Sequence, residues 1–551
     1  MPLPAPRLRR LEMSHRTAPH PGLVLGLCLG LVLPFADARA AAPEADAETS
    51  LAEQQAEDVG VDDPGIDGTG DAAPSEEAAA DTEVSTDGGG LGLFSGGGSG
   101  ATPAPTAAEG VPAPAATGPW RFDFNGYVRG DLFVGKALGR RMADMKAAYG
   151  EAALQFRVHR ERFGDAFAEA RLRYGYDGQE ARLAVDLREA YVNAYLGPVD
   201  IRVGHQIIVW GRADAFNPTN QLMPIDLRIR SPLEDDRRLG NLGVRMFLNF
   251  APVRIEGVWL PLYSPVRIPA VPLHDVITIE DARVRPDLSK GLGAGRFHLE
   301  LAKFEMSASY IYGRSPLPGL AFGGYDVGDN AYLRVVRTPY KQHVAGFDFS
   351  TAIGNIIGIR GEIAYRHPVN HRSRIYAARP DLNYVFGLDR EFGPVSIILQ
   401  YVGSYVFDWA KEGGAAAFQE ENDFDFDFQL DTLRDLQPMQ NETFRPLIEQ
   451  GINAELRRYN QILFSQIARH THSLAARIQW LTLHDTLSIS AAGMFNITTF
   501  EWLLYPKIEY RLSDRMLTAI GGEIYSGPPG TRLDWIDGFL SAGYLEFRFL
   551  F

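Results

Sequence analysis

From Trp120 to Phe551, apolar side chains return at every second position, and the positions between them are repeatedly ionic. A period of two marks extended chain, because successive side chains of a strand point to opposite faces. Along 121–134, Phe122, Phe124, Val128, Leu132 and Val134 share a face with Gly126 and Gly130. Arg121, Asp123, Asn125, Tyr127, Arg129 and Asp131 share the other. One such strand would fit a soluble sandwich equally well, so the argument rests on repetition. Leu154, Phe156 and Val158 alternate with Gln155, Arg157 and His159. Leu242, Val244, Met246 and Leu248 alternate with Arg245 and Asn249. Phe297, Leu299 and Leu301 alternate with Arg296, His298 and Glu300, and Ile357, Ile359 and Ile363 with Arg360, Glu362 and Arg366. A sandwich turns its apolar face into a thick core, whereas a membrane barrel turns it to lipid and keeps a wet lumen. So many charges of both signs on one face of a nearly neutral body fit a closed sheet around water.

The overall charge of −15 misleads about that body. Residues 1–40 contribute +3 and residues 41–118 contribute −16, which leaves −2 for 119–551. The first 40 residues read as a secretory signal: Arg7, Arg9, Arg10 and Arg16 precede a short apolar core, Leu23 to Phe35, and Ala38-Arg39-Ala40 offers a cleavage site. Residues 41–118 hold 16 acidic and no basic residues in an Ala/Gly/Pro-rich background, a composition that predicts a disordered linker. Cys28, the single cysteine, falls in the signal, so no disulfide and no cysteine-based metal site is expected in the mature chain. No run of 18 apolar residues offers a spanning helix.

Turn spacing gives the strand number. Short connections are expected at 161–164, 197–198, 251–252, 302–303, 354–355, 393–394, 484–485 and 513–514. Between them lie the segments 137–147, 177–181, 211–239, 263–293, 314–342, 368–381, 408–469, 497–501 and 526–538. These predict an antiparallel barrel of about eighteen strands, with the strand-like run Ala331–Arg337 assigned to a loop. Sixteen strands is the alternative. The adjacent charges of Arg188-Glu189 predict a bulge, and His205 falls on the apolar face.

The last strand alternates Leu545, Phe547, Phe549 and Phe551 with Tyr544, Glu546 and Arg548. A terminal strand that ends on Phe resembles the assembly signal of bacterial outer-membrane barrels, which implies the barrel-assembly machinery as a partner. The run Leu187 to Leu196, then Arg202-Val203-Gly204-His205-Gln206, Trp210-Gly211 and Asn217-Pro218, resembles a large, poorly characterised family of Gram-negative porin-like proteins. It is more distantly similar to phosphate-selective and alginate-export porins. The resemblance implies an outer-membrane channel and no particular solute, and the strand count puts both termini on the periplasmic side.

Arg121, Asp123, Arg129, Asp131, Glu169, Arg171, Arg173 and Arg202 are the expected lumen lining. The segment after Trp210-Gly211 carries Arg212, Asp214, Asp226, Arg228, Arg230, Glu234, Asp235, Asp236, Arg237 and Arg238. Folded inward, it would narrow the pore with both charge signs; left outside, its charges would simply be solvated. The segment 408–469 is long enough to form a plug or constriction, with a helix expected near Pro446–Phe464. Its Asp423-Phe424-Asp425-Phe426-Asp427 spacing starts like a calcium loop, but Phe428 and Arg434 stand where Gly and Glu belong, so calcium is not expected. His470 and His472 could share an ion, yet no third ligand is near, and no metal or cofactor is expected. No phosphate-binding loop, nucleophile elbow or His-Glu-x-x-His helix appears, so no enzymatic activity and no nucleic-acid partner is expected. The expected role is passive diffusion of small polar or charged solutes. Its rivals are an anchor joined to the cell wall or a periplasmic partner by the linker, and a barrel that exports a polymer.

Overall fold

A computed structural model describes residues 119–551 except 137–142, 161, 178–179, 214–215, 268–276, 327–331, 355, 415–416, 418–444, 529–532, 534–536 and 539. The signal, the acidic linker, Asp214 and the Asp423–Phe428 motif lie outside the described residues.

Eighteen strands form one sheet in which each strand pairs antiparallel with the next in the chain, from Arg121–Lys136 to Ala542–Leu550. The ring closes where Tyr127 pairs with Leu550 and Gly135 with Ala542. Closure leaves no strand edge, the condition for backbone to sit in hydrocarbon. The eight expected short turns all join neighbouring strands, which disposes of the sixteen-strand alternative. The first strand begins, and the last strand ends, at the short-turn end. The run expected at 331–337 is the strand Tyr332–Thr338, and it lies outside the ring. It pairs antiparallel with Gly319–Asp326 and parallel with Ile277–Asp281, a small sheet made wholly of loop segments.

The two faces sort as the alternation requires. Phe122 is 67% exposed and Val128 49% on the outer face, while Arg129 on the inner face is 1% exposed. Leu545 and Phe547 face outward and Glu546 and Arg548 inward. Phe551 exchanges two backbone hydrogen bonds of 3.0 Å with Gly126. Its ring lies where a Cβ on residue 126 would come within 2.6 Å, so glycine there admits the last aromatic to the seam. The bulge falls at Arg188: Glu189 pairs with Glu169 and Leu187 with Ala170, leaving Arg188 as the extra residue. The extra residue turns both charges to the lumen.

The helix found is Arg445–Leu463. Pro446 is tolerated in its first turn, and Ile448, Ile452 and Leu456 recur on one stripe. That stripe packs against Leu320, Leu333, Val335, Tyr340, Ala377 and Ala378. The Asn460 side chain completes the joint, accepting from the Leu320 N–H at 2.7 Å and donating to the Leu320 and Ile375 carbonyls. The helix expected as part of a plug thus joins the small sheet in one loop-built cap. Its apolar stripe finds its partner in the small sheet and not in the ionic lumen.

Candidate functional site

Strand Val199–Gln206 ends where the chain leaves the wall and turns inward. Ile208 and Trp210 are buried against Leu222, Val258, Leu260 and Ile311, and the Trp210 indole N–H donates to Glu256 at 3.0 Å. Gly211 then takes φ of 106°, a left-handed backbone, and a Cβ there would overlap the Asn217 side chain. Glycine is thus what lets the loop double back.

One flank of the loop is fixed by Glu362. Its carboxylate accepts from the backbone N–H groups of Arg212 and of Ala213, the latter at 2.5 Å, and from the Thr219 hydroxyl at 3.1 Å. Arg212 also donates Nε to Asp348 at 2.9 Å and pairs with Glu305. The tip carries a short turn of 3-10 helix, Glu234–Arg237, that aims Asp236 at the opposite wall. Asp236 lies 2.7 Å from Arg129 Nη2 and 2.5 Å from Arg171 Nη1, and it accepts from the Ser231 hydroxyl. Arg188 donates to the Asp235 carbonyl at 2.6 Å, and Arg237 to Glu523 at 2.9 Å.

These contacts fix the loop's course. Arg129 and Arg171 stand on the first and third strands, flanking the second, and Glu362 stands on the eleventh. Nine steps around an eighteen-strand ring is half-way, so the loop crosses the lumen from wall to wall.

Burial alone would raise the Asp236 carboxyl, but Arg129, Arg171 and Arg188, with the Ser231 hydroxyl, hold it well below the usual carboxylate range. Asp226 is likewise pushed up by burial and carried below its usual value by Arg228, with Arg267 adding to it. Arg237 is depressed by burial and raised on balance by Glu523. All three stay charged at neutral pH.

Of the expected lining residues, Arg129, Asp131, Glu169, Arg171 and Arg173 gather at this crossing. Arg129 bridges Glu151 at 2.8 Å as well as Asp236, with Asp131 at 3.3 Å from its Nε. Arg171 donates to Glu169 at 2.6 Å, and Arg173 reaches Glu151 at 2.6 Å while lying over the Tyr149 ring. Arg121, Asp123 and Arg202 do not join them. Arg121 is exposed and Asp123 meets His159 at 3.2 Å near the short-turn rim, and Arg202 stacks on Tyr191 and donates to Asn193 on the wall. In the loop, Arg228 grips Asp226 at 2.7 Å, Arg238 holds Asp235 at 2.7 Å, and Arg230 reaches the Leu540 carbonyl at 3.3 Å. Glu234 is buried. Glu362, Asp348, Glu151, Glu523 and Trp210 are equally part of the site. Of these, the alternation had placed Glu362 on the polar face, and nothing in the sequence tied any of them to the loop. Among the described residues no group of three or more His, Cys, Asp and Glu forms a metal site, and no helix is long and apolar enough to span a membrane.

A family model described as a protein of unknown function (DUF1302) matches residues 118–246, from the first strand through the crossing loop. No curated protein matches. Among solved structures, Pseudomonas aeruginosa OccK2 (OpdF) is 8% identical with a TM-score of 0.44, over 78% of this chain and 97% of that one. P. aeruginosa OpdK, solved with vanillate, gives 8% and 0.45 over 78% and 98%. Acinetobacter baumannii OccAB1 gives 9% and 0.42 over 78% and 95%. These likenesses do not single out the phosphate-selective or alginate-export porins that the Arg-x-Gly-x-Gln strand resembles.

Proposed function

We propose that this chain is an outer-membrane channel that admits small polar or charged solutes by passive diffusion, with residues 207–240 as its constriction. The observation that carries this reading is a closed ring, apolar outside and ionic inside, crossed by a loop bound to opposite walls. A solute then passes beside the loop between fixed charges of both signs, so discrimination comes from width and charge placement. In this reading the short-turn end, with the linker and Phe551, faces the periplasm. The last strand is the element that the assembly machinery reads, and no catalytic step is assigned.

The test is planar-bilayer conductance of the mature full-length chain. Discrete steps are expected, and replacing 222–238 by a Gly-Ser connection should raise the step several-fold. A folded protein that gives no steps with or without the loop would leave the anchor or polymer-export role standing instead. Removing 41–118 should spare conductance, and a salt-gradient reversal potential should show only weak ion preference.

A further inference from the structure

Five of the histidines in the barrel-forming region cluster in one sector, near the loop end of six adjacent strands, from Phe304–Arg314 to His470–Thr482. His343, His367, His470 and His472 lie on the outer face, because Gln342, Thr471 and Ser473 beside them turn inward and are buried. Each is set among aromatic rings. The Tyr310 hydroxyl meets Nδ1 of His343 at 2.6 Å, Tyr365 meets Nδ1 of His367 at 3.1 Å, and Tyr401 meets Nδ1 of His472 at 2.5 Å. Tyr405 and His470 meet edge to face, with ring centroids 4.6 Å apart.

The chemistry of these pairs points outward. Where the phenol donates to Nδ1, the imidazole proton sits on Nε2, and a protonated ring also carries a proton there. In either of these states His343 and His367 present N–H donors on a face that elsewhere meets hydrocarbon. An unmet donor in that medium costs several kcal/mol, so a partner that supplies acceptor oxygens is favoured at this level. Cations stand with them. Lys341 lies 5.4 Å from the Tyr312 ring, Arg469 is exposed, and Arg372 is exposed beside Asp408, which also faces His371 at 3.5 Å.

We propose that this belt binds the phosphate groups of a phosphorylated glycolipid in the outer leaflet. The inference rests on the outer-membrane reading above but not on the presence of an open pore. Phosphate offers several acceptor oxygens and negative charge together, matching imidazole donors flanked by Lys and Arg. A ring of Tyr alone would serve a headgroup boundary equally well; the paired histidines and the flanking cations are what ask for an anion.

Native mass spectrometry of the detergent-solubilised full chain tests this, with bis-phosphorylated lipid A and its dephosphorylated counterpart as probes. The wild type should retain the phosphorylated form roughly tenfold better, the weight of one charge-assisted hydrogen bond. His343→Phe with His367→Phe should bring the two lipids near parity, and Lys341→Gln should reduce the preference partly. Heat-modifiable gel mobility shows that each variant is folded, and conductance of the same samples reports the pore separately. Equal retention of both lipids by the wild type, or an unchanged preference in the folded double variant, overturns the proposal. So would a dimer formed through this face with no lipid preference.

Discussion

The crossing loop and the cap both begin as segments between strands, yet they are held in place differently. The loop reaches the far wall through Asp236, Arg237 and the Asp235 carbonyl, each bound to an ionic side chain. The cap buries Ile448, Ile452, Leu456 and Leu463 against a sheet of its own. The root of the loop also packs on apolar wall residues, Ile208, Trp210 and Leu222 against Val258, Leu260 and Ile311, so charge holds chiefly its far end. The cap has a small hydrophobic core of its own. The far end of the loop thus depends on a few directional contacts, the cap on packing spread over many atoms.

The largest effect should follow from Asp236→Ala. It leaves Arg129 and Arg171 buried beside vacant space, and breaking such a pair from one side costs about 3–5 kcal/mol. Enlarged, noisy conductance steps and a lower unfolding temperature by gel shift are the readouts; unchanged steps would mean that the latch does not hold the loop. Ile448→Ala should cost about 2–5 kcal/mol within the cap, seen as faster proteolysis around 445–463, with step size unaffected. If the steps changed as much as with Asp236→Ala, the two assemblies would not be independent. Gly211→Ala should be milder in stability, about 1–2 kcal/mol for left-handed backbone, plus the clash with Asn217. Its conductance should fluctuate like that of a weakly latched loop.

The smallest effect concerns pH. The Asp236 carboxyl is depressed in the folded chain relative to about 3.9 in an unfolded one. The stability it supplies is therefore complete above that value and is lost only as pH falls through the lower folded pKa. Step size should stay constant from neutral pH down to about 4, then rise in stronger acid. Opening at mildly acidic pH would place the latch on another group.

The wall was legible because an apolar outer face and an ionic inner one impose a period of two, and a slip of one residue would invert every side chain. Even the departures carried information. Arg188-Glu189 broke the alternation and marked the bulge, and the surplus run at 331–337 failed the parity of the turns because it pairs outside the ring. The crossing was not legible. Asp236 meets Arg171 across 65 residues of sequence, and Arg212 N–H meets Glu362 across 150. A charge run reads the same whether its partners are solvent or the far wall. A helix was expected near Pro446–Phe464, close to the observed 445–463, but its partner was a sheet that only the fold assembles.

The seam between 127–135 and 542–550 also constrains how the molecule is made. The opening strand keeps one side of its backbone unpaired until the last strand takes its place beside it. A chain shortened by even its final nine residues would leave two raw borders, with no neighbour able to cover them. Such a chain would lack the ring itself, and quality control should remove it as a failed intermediate.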